Sequence, residues 1–208
     1  MSRQLWLPPL ELDAGGVGIG AMMYARIRVP EKEKNRINLS GMELVREGRG
    51  LLIAKRHNAF VNLGLHFVLD RLFNINTPNA AIAYMGITAD VNAVTAGTTA
   101  IDPAPTTSQN IKALGAGVGA VATSRTGETT TCSAGWTKSD ANFPVAKVGL
   151  FNTSTDAADD TVPTVQGVMN IIGGTGGSSP YNEPFTIDLT GTSAFNLTLA
   201  MDVTATAS

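Results

Sequence analysis

The side chains best suited to chemistry are two histidines, one cysteine and a scatter of carboxylates. His66 stands four residues before Asp70. On a helix that spacing puts both on one face, where a carboxylate can orient an imidazole as a general base. No serine in a Gly-x-Ser-x-Gly elbow accompanies the pair, so it reads as a surface or core-edge contact. His57, in "KRHN", lies between a hairpin and a helix, and no His-x-x-x-His pair offers a zinc site. Cys132 is the only cysteine, which excludes an internal disulfide and a Cys-based zinc site. It reads as a small strand residue and not as a nucleophile. Asp156, Asp159 and Asp160 in "TSTDAADDT" lack the spacing and the bidentate Glu of a calcium loop, and read as a solvated loop. Glu128, Asp140, Glu183 and Asp188 are scattered, with nothing to pair them as the two acids of a glycosidase.

Two glycine runs invite a nucleotide reading. In "GAGVGA", Gly115, Gly117 and Ala120 match the spacing of a dinucleotide fingerprint. That fingerprint acts between a strand and a helix N-terminus, whose amides hold the phosphates. Here the run leads into "VATSRTGETTT", a strand pattern. "GGVGIG" follows no strand and precedes no Lys-Ser/Thr, so it is no P-loop. The basic stretch "RIRVPEKEKNR" carries Arg26, Arg28, Lys32, Lys34 and Arg36, but Glu31 and Glu33 offset them and no aromatics interleave for base stacking. It reads as a charged, solvated segment or a subunit contact. The residues therefore lead us to expect no enzymatic activity, no cofactor, no metal and no nucleic-acid partner.

Composition points the same way. The chain has 208 residues, enough for one large domain or a domain plus an arm. Charged residues are only 15%, against roughly 25% in an ordinary globular chain. Thr, Ala, Ser and 22 Gly fill the difference, which suits β structure and surfaces covered by neighbours. The net charge of −2 gives no positive field to attract nucleic acid. The first residues are interrupted by Pro8, Pro9, Glu11 and Asp13, so neither a secretory leader nor a membrane span is expected, and synthesis in the cytoplasm is.

The elements follow from periodicity. Residues 1–24 read as an extended arm: Leu5, Trp6, Leu7, Leu10 and Leu12 are apolar enough to dock on the chain's own domain or on a neighbour. Pro8-Pro9 prevents a regular element there, and "GGVGIG" supplies a flexible joint. Residues 25–208 read as a single β domain. Met42–Arg46 and Leu51–Lys55 form a hairpin about "EGRG". "VNLGLHFVLDRLF" shifts to helical spacing, with Asn58 or Asn62 as N-cap and Pro78 past the end, predicting one short buried helix near 62–73. Strands are expected over 81–88, 117–136 (two, about Thr126-Gly127), 145–154, 165–172, 185–190 and 194–203. Polar loops at 89–110 and 173–184 separate them. In "SAFNLTLAMDVTATAS" Phe195, Leu197, Leu199, Met201 and Val203 fall on every second residue, a strand with one core face and one Thr/Asn face, paired with 185–190 about Gly191. The expected class is mainly β, an antiparallel β-sandwich of jelly-roll type with an extended N-terminal arm.

The order of pieces resembles a group of tailed-bacteriophage virion proteins of the tail-fibre, tail-collar and neck type, over about residues 42–203. In that group an Asn-rich N-x-x-x-N-x-G enters a helix ending in Asp-x-Leu; Asn58, Asn62, Gly64, Asp70 and Leu72 stand in those places. A strand similar to Y-x-A-L-G is matched loosely by Tyr84, Met85 and Gly86. A strand similar to I-x-E-x-G-L-F is matched by Val145, Lys147, Gly149, Leu150 and Phe151, with Lys147 where the acid usually stands. The arm falls outside the resemblance, and the group has no catalytic residues to carry over.

The resemblance implies a structural virion protein in the tail, neck or an appendage, used in many copies, contacting copies of itself and other virion proteins through strand edges and the arm. A capsid-decorating or cement protein is the nearest alternative. A receptor-binding module is the other, with Trp136 and Tyr181 as contacts for a host surface glycan, although aromatic residues make up only 6% of the chain.

Overall fold

Along Val17–Arg28 every second residue is apolar (Val17, Ile19, Ala21, Met23, Ala25, Ile27), while Gly, Met, Tyr and Arg fall between. That period of two builds strand β1. The computed structural model describes residues 17–47, 51–60, 62–73, 81–89, 91–95, 111–152, 154, 168–173 and 184–207; it gives backbone alone for 17–21, 43–47, 51–60, 62–63, 70–73, 168–172 and 206–207. After β1 come a short 3-10 helix, Glu31–Arg36, and strands β2 (Asn38–Ser40), β3 (Glu43–Glu47) and β4 (Leu51–Phe60). Helix α1 spans Asn62–Phe73. Then follow β5 (Tyr84–Thr88), β6 (Ile111–Ala113), β7 (Ser124–Thr126), β8 (Thr129–Thr137), β9 (Lys147–Phe151), β10 (Val168–Gly173), β11 (Thr186–Asp188) and β12 (Asn196–Ala207).

The chain is mainly β and its strand pairs are antiparallel. Among the described residues ten strands share one sheet in the order β6-β5-β9-β10-β4-β1-β12-β8-β7, with β3 also paired to β4; β11 and β2 form a second, two-stranded sheet. Strand β4 joins the two halves of the large sheet. Leu51–Asn58 pairs with β1, and Ala59 and Phe60 pass to Ile171 and Asn170 of β10. The far ends of the order meet again just after β6. Leu114 donates its N–H to Ala83 O beside β5, Gly115 donates to Ser133 O of β8, and Gly135 of β8 donates to Ala116 O. The sheet therefore curls round one apolar cluster. Met23, Ala25 and Ile27 of β1, Cys132, Ala134 and Trp136 of β8, and Leu197, Leu199 and Met201 of β12 enter it from one half. Met85 and Ile87 of β5, and Val148 and Leu150 of β9, enter from the other, with Phe185, Ile187 and Leu189 around β11.

The hairpin about residues 48–50 forms as β3–β4, and the helix falls on 62–73. Residues 17–24, assigned to the arm, belong instead to a central strand: β1 lies between β12 and β4, and Met23 is fully buried. The glycines at 18 and 20 suggested a joint, but in β1 they occupy alternate positions opposite Thr206 and Thr204. Residues 1–16, with Leu5, Trp6, Leu7, Leu10 and Leu12, lie outside the described residues. The last strand is no edge. β12 pairs with β1 on one side and β8 on the other, and β11 pairs with β2, not with β12. Residues 117–123 form a turn and loop and not a strand.

Over its described side chains, 64–69, helix α1 is not the buried element expected. Leu65 is 44% and Leu69 is 50% exposed, Phe67 and Val68 are half-buried, and only Gly64 of its described side is buried. Apolar residues run most of the way round α1, so packing against β10 and β4 covers one side and leaves the next leucine row in solvent.

Candidate functional site

Trp136 sits mid-core, 0% exposed, on the inward row Cys132, Ala134, Trp136 of β8. It presents no ring face to a ligand, which corrects its assignment as a receptor contact. Tyr181, the other assigned contact, lies outside the described residues, as do Asp156, Asp159, Asp160 and Glu183. Cys132 is buried. Its Sγ donates to Met201 O at 3.6 Å, and loss of water around the sulfur pushes its pKa up to about 12. That thiol stays protonated and inert at neutral pH. His66 is exposed on α1, while only backbone is described at Asp70 and His57.

The carboxylates serve the fold. Glu33, expected on a solvated segment, is buried. Its Oε2 accepts hydrogen bonds from Ser193 N at 2.7 Å and Ser193 Oγ at 2.9 Å. These bonds favour the ionised form, the backbone one most, and hold its pKa below the ordinary 4.5 against the opposing effect of burial. Arg36 Nη1 lies 3.7 Å from Glu33 Oε1 and also donates to Gly191 O. The 3-10 helix is thus tied to the turn between β11 and β12. Its role as a charged, solvated stretch holds for Glu31 and Lys32, which are exposed, but not for Glu33. Asp140 is held similarly. Partial burial would raise its pKa, but a hydrogen-bonded ion pair with Lys112 (2.8 Å) and hydrogen bonds from Thr137 N (2.7 Å) and Thr137 Oγ1 (2.9 Å) together bring it below the ordinary 3.8. Asp188 accepts from Thr190 N and Thr190 Oγ1 at 2.9 and 2.7 Å. Lys138 donates to the carbonyls of Thr190 and Thr192. Glu128 is exposed in the two-residue β7–β8 turn. Among the described residues no three His, Cys, Asp or Glu side chains gather as for a metal ion. Nor is any described helix long and apolar enough to cross a membrane.

The "GAGVGA" run is a cover on the sheet. Gly117 (φ +91°) presses its backbone against Gly135 of β8 so closely that a Cβ at either position would overlap a carbonyl oxygen of the other segment. Three side-chain bonds pin the cover. Val121 N donates to Ser133 Oγ at 2.8 Å, Ser133 Oγ donates to Val121 O at 3.2 Å, and Thr198 Oγ1 donates to Val118 O at 2.8 Å. No helix follows the run, and the amides of Gly115, Ala116, Ala120 and Val121 donate within the chain.

The sheet also presents accessible surface. On the outward rows of β8 and β12, Thr131 Oγ1 donates to Asp202 Oδ1 at 2.6 Å, and Thr129 and Thr204 share a hydroxyl contact at 2.9 Å. Further along the same face Arg26 and Arg28 of β1 stand exposed, opposite Thr198 and Asn196 of β12. Residues 121–128 are exposed throughout, and within them β7 pairs, among the described residues, only with β8. Sequence reasoning missed this edge because a strand pattern does not say whether a strand is inner or outer. The resemblance positions are also placed. Lys147, Gly149, Leu150 and Phe151 are buried in β9, and Met85 and Gly86 pair with Leu150 and Gly149 across β5–β9. They are framework residues.

Comparison of the chain with protein-family models, with curated proteins and with solved structures finds no match.

Proposed function

We propose that the chain is a non-enzymatic structural component of a tailed-phage virion, present in multiple copies in the tail, neck or an appendage. Its architecture is read as a β-sandwich whose strand edges and N-terminal segment contact copies of itself and other virion proteins. One observation carries the proposal: a Thr-lined sheet face continues into the exposed stretch 121–128, where β7 pairs, among the described residues, with β8 alone. Such an edge offers backbone groups to another chain, and small Thr side chains accept close packing. The use of Glu33, Asp140 and Asp188 as internal fasteners supports the same reading, since each spends its acceptor oxygens on its own chain.

Decoration of a capsid surface is the same kind of work at another location in the particle, and the same faces would serve it. A glycan-binding role loses one of its two aromatic contacts with Trp136 in the core.

The test is assembly. Full-length protein is examined by size-exclusion chromatography with light scattering, then mixed with particles lacking it and sedimented. Multi-copy mass and co-sedimentation are expected; a protein that stays single-copy and ignores particles contradicts the proposal. A truncation probing the N-terminal segment must end at Gly16, because Val17 already belongs to the central strand.

A further inference from the structure

Leu65 and Leu69 stand one turn apart on α1, 44% and 50% exposed, with the half-buried Phe67 and Val68 beside them. The other large exposed apolar side chains among the described residues, Val91 and Val121, are single loop residues. A leucine pair of this kind needs cover at high concentration.

We propose that this face of α1 receives the apolar segment Leu5–Leu12 of a second copy of the chain, so that the N-terminal segment of each copy docks on the helix of the next. The assignment rests on the multi-copy reading above and names a contact for it. The first support is where the described chain begins. β1 runs antiparallel to β4 with Ala21 opposite Asn58, and β4 ends at Phe60 just before α1 starts at Asn62. Val17, the first described residue, therefore lies at the end of the sheet that carries α1. From Val17, Leu12 is five residues back and Leu5 twelve. At about 3.3 Å per residue that is a reach of roughly 16 to 40 Å, enough to cross to a copy packed against that end.

The second support is chemical. Leu5, Trp6, Leu7, Leu10 and Leu12 supply apolar side chains, and Pro-Pro at 8–9 is a sequence that favours extended backbone and has two fewer N–H groups to satisfy. A helix face offers side-chain contacts and no backbone partners, so it suits such a segment better than a sheet edge does. The third is topological. A docking segment and a receiving face at different places on one chain make a head-to-tail contact, which extends from copy to copy.

The test is cross-linking between two differently tagged full-length proteins, one Leu10→Cys and the other Leu69→Cys. Cys132 is buried and adds no background. A disulfide-linked band carrying both tags is expected under mild oxidation, and none when Thr126→Cys on the exposed β7 edge replaces Leu69→Cys. Light scattering of the unmodified protein reads assembly separately. Multi-copy mass without the mixed band overturns this docking and leaves the multi-copy reading standing. A link formed only within one chain of the Leu10→Cys/Leu69→Cys double variant overturns the second-copy assignment. Single-copy mass at all concentrations overturns both.

Discussion

The cover over β8 and the helix beside β10 are both irregular additions to the same sheet, and they are finished differently. The stretch Gly115–Val121 is held by backbone and hydroxyl hydrogen bonds and comes so close to the sheet that only glycine fits at Gly117 and Gly135. Helix α1 rests on β10 and β4 through one side and leaves Leu65 and Leu69 in solvent. The first region is complete within one chain. The second has apolar surface left over. Close backbone approach fixes a segment without needing a partner, whereas a wide apolar stripe on a helix exceeds what one sheet can cover.

The largest expected effects fall in the completed region. Trp136→Ala empties a core site and should cost about 3–5 kcal/mol in denaturant unfolding. Gly135→Ala should match or exceed ~3 kcal/mol, because the clash is with backbone and no side chain can swing away. A Gly135→Ala protein as stable as wild type would break the comparison at its firm end. Thr198→Val leaves Val118 O without its donor, and a loss of roughly 1–2 kcal/mol is expected. Gly127→Ala gives an internal contrast. Gly127 also has positive φ, +58°, but open space around its missing side chain, so only the conformational cost of roughly 1–2 kcal/mol applies. At the other end of the scale, Leu65→Ser with Leu69→Ser removes exposed apolar surface and should leave stability within about 0.5 kcal/mol.

Acid sensitivity sharpens the picture in a different coordinate. Glu33 and Asp140 both have depressed pKa values in the folded chain. Their contribution is therefore fully present above their ordinary values, 4.5 and 3.8, and is lost as pH falls through the lower folded values. Thermal melts from about pH 6 down to pH 3 should show stability falling on the acid side, and Glu33→Gln should flatten that fall. An unchanged pH profile in Glu33→Gln would mean the Ser193 bonds add nothing to folding.

Much of this architecture was legible in the residues. The switch from period two to helical spacing located α1, and alternation along 194–203 named Leu197, Leu199 and Met201 as inward-facing, as they are. The same rule applied to Val17, Ile19, Ala21, Met23, Ala25 and Ile27 would have extended the domain back to residue 17; the interleaved glycines hid it. Applied to Cys132, Ala134 and Trp136, it would have put the tryptophan in the core. Other features had no local signal. Pairing of β1 with β12 joins the two ends of the chain, and the Glu33–Ser193 bond spans most of its length. Such contacts depend on topology, which spacing within a segment does not encode. The exposure of Leu65 and Leu69 on α1 has no local signal either, because apolar breadth on a helix accompanies a buried helix and a half-covered one alike.

The central claim is that the chain's spare surfaces serve other copies and sister proteins. Light scattering of the full-length protein across a concentration series addresses it most directly. The account predicts a mass that is a multiple of 21.6 kDa and that grows or persists as concentration rises. A mass of 21.6 kDa at every concentration would contradict it.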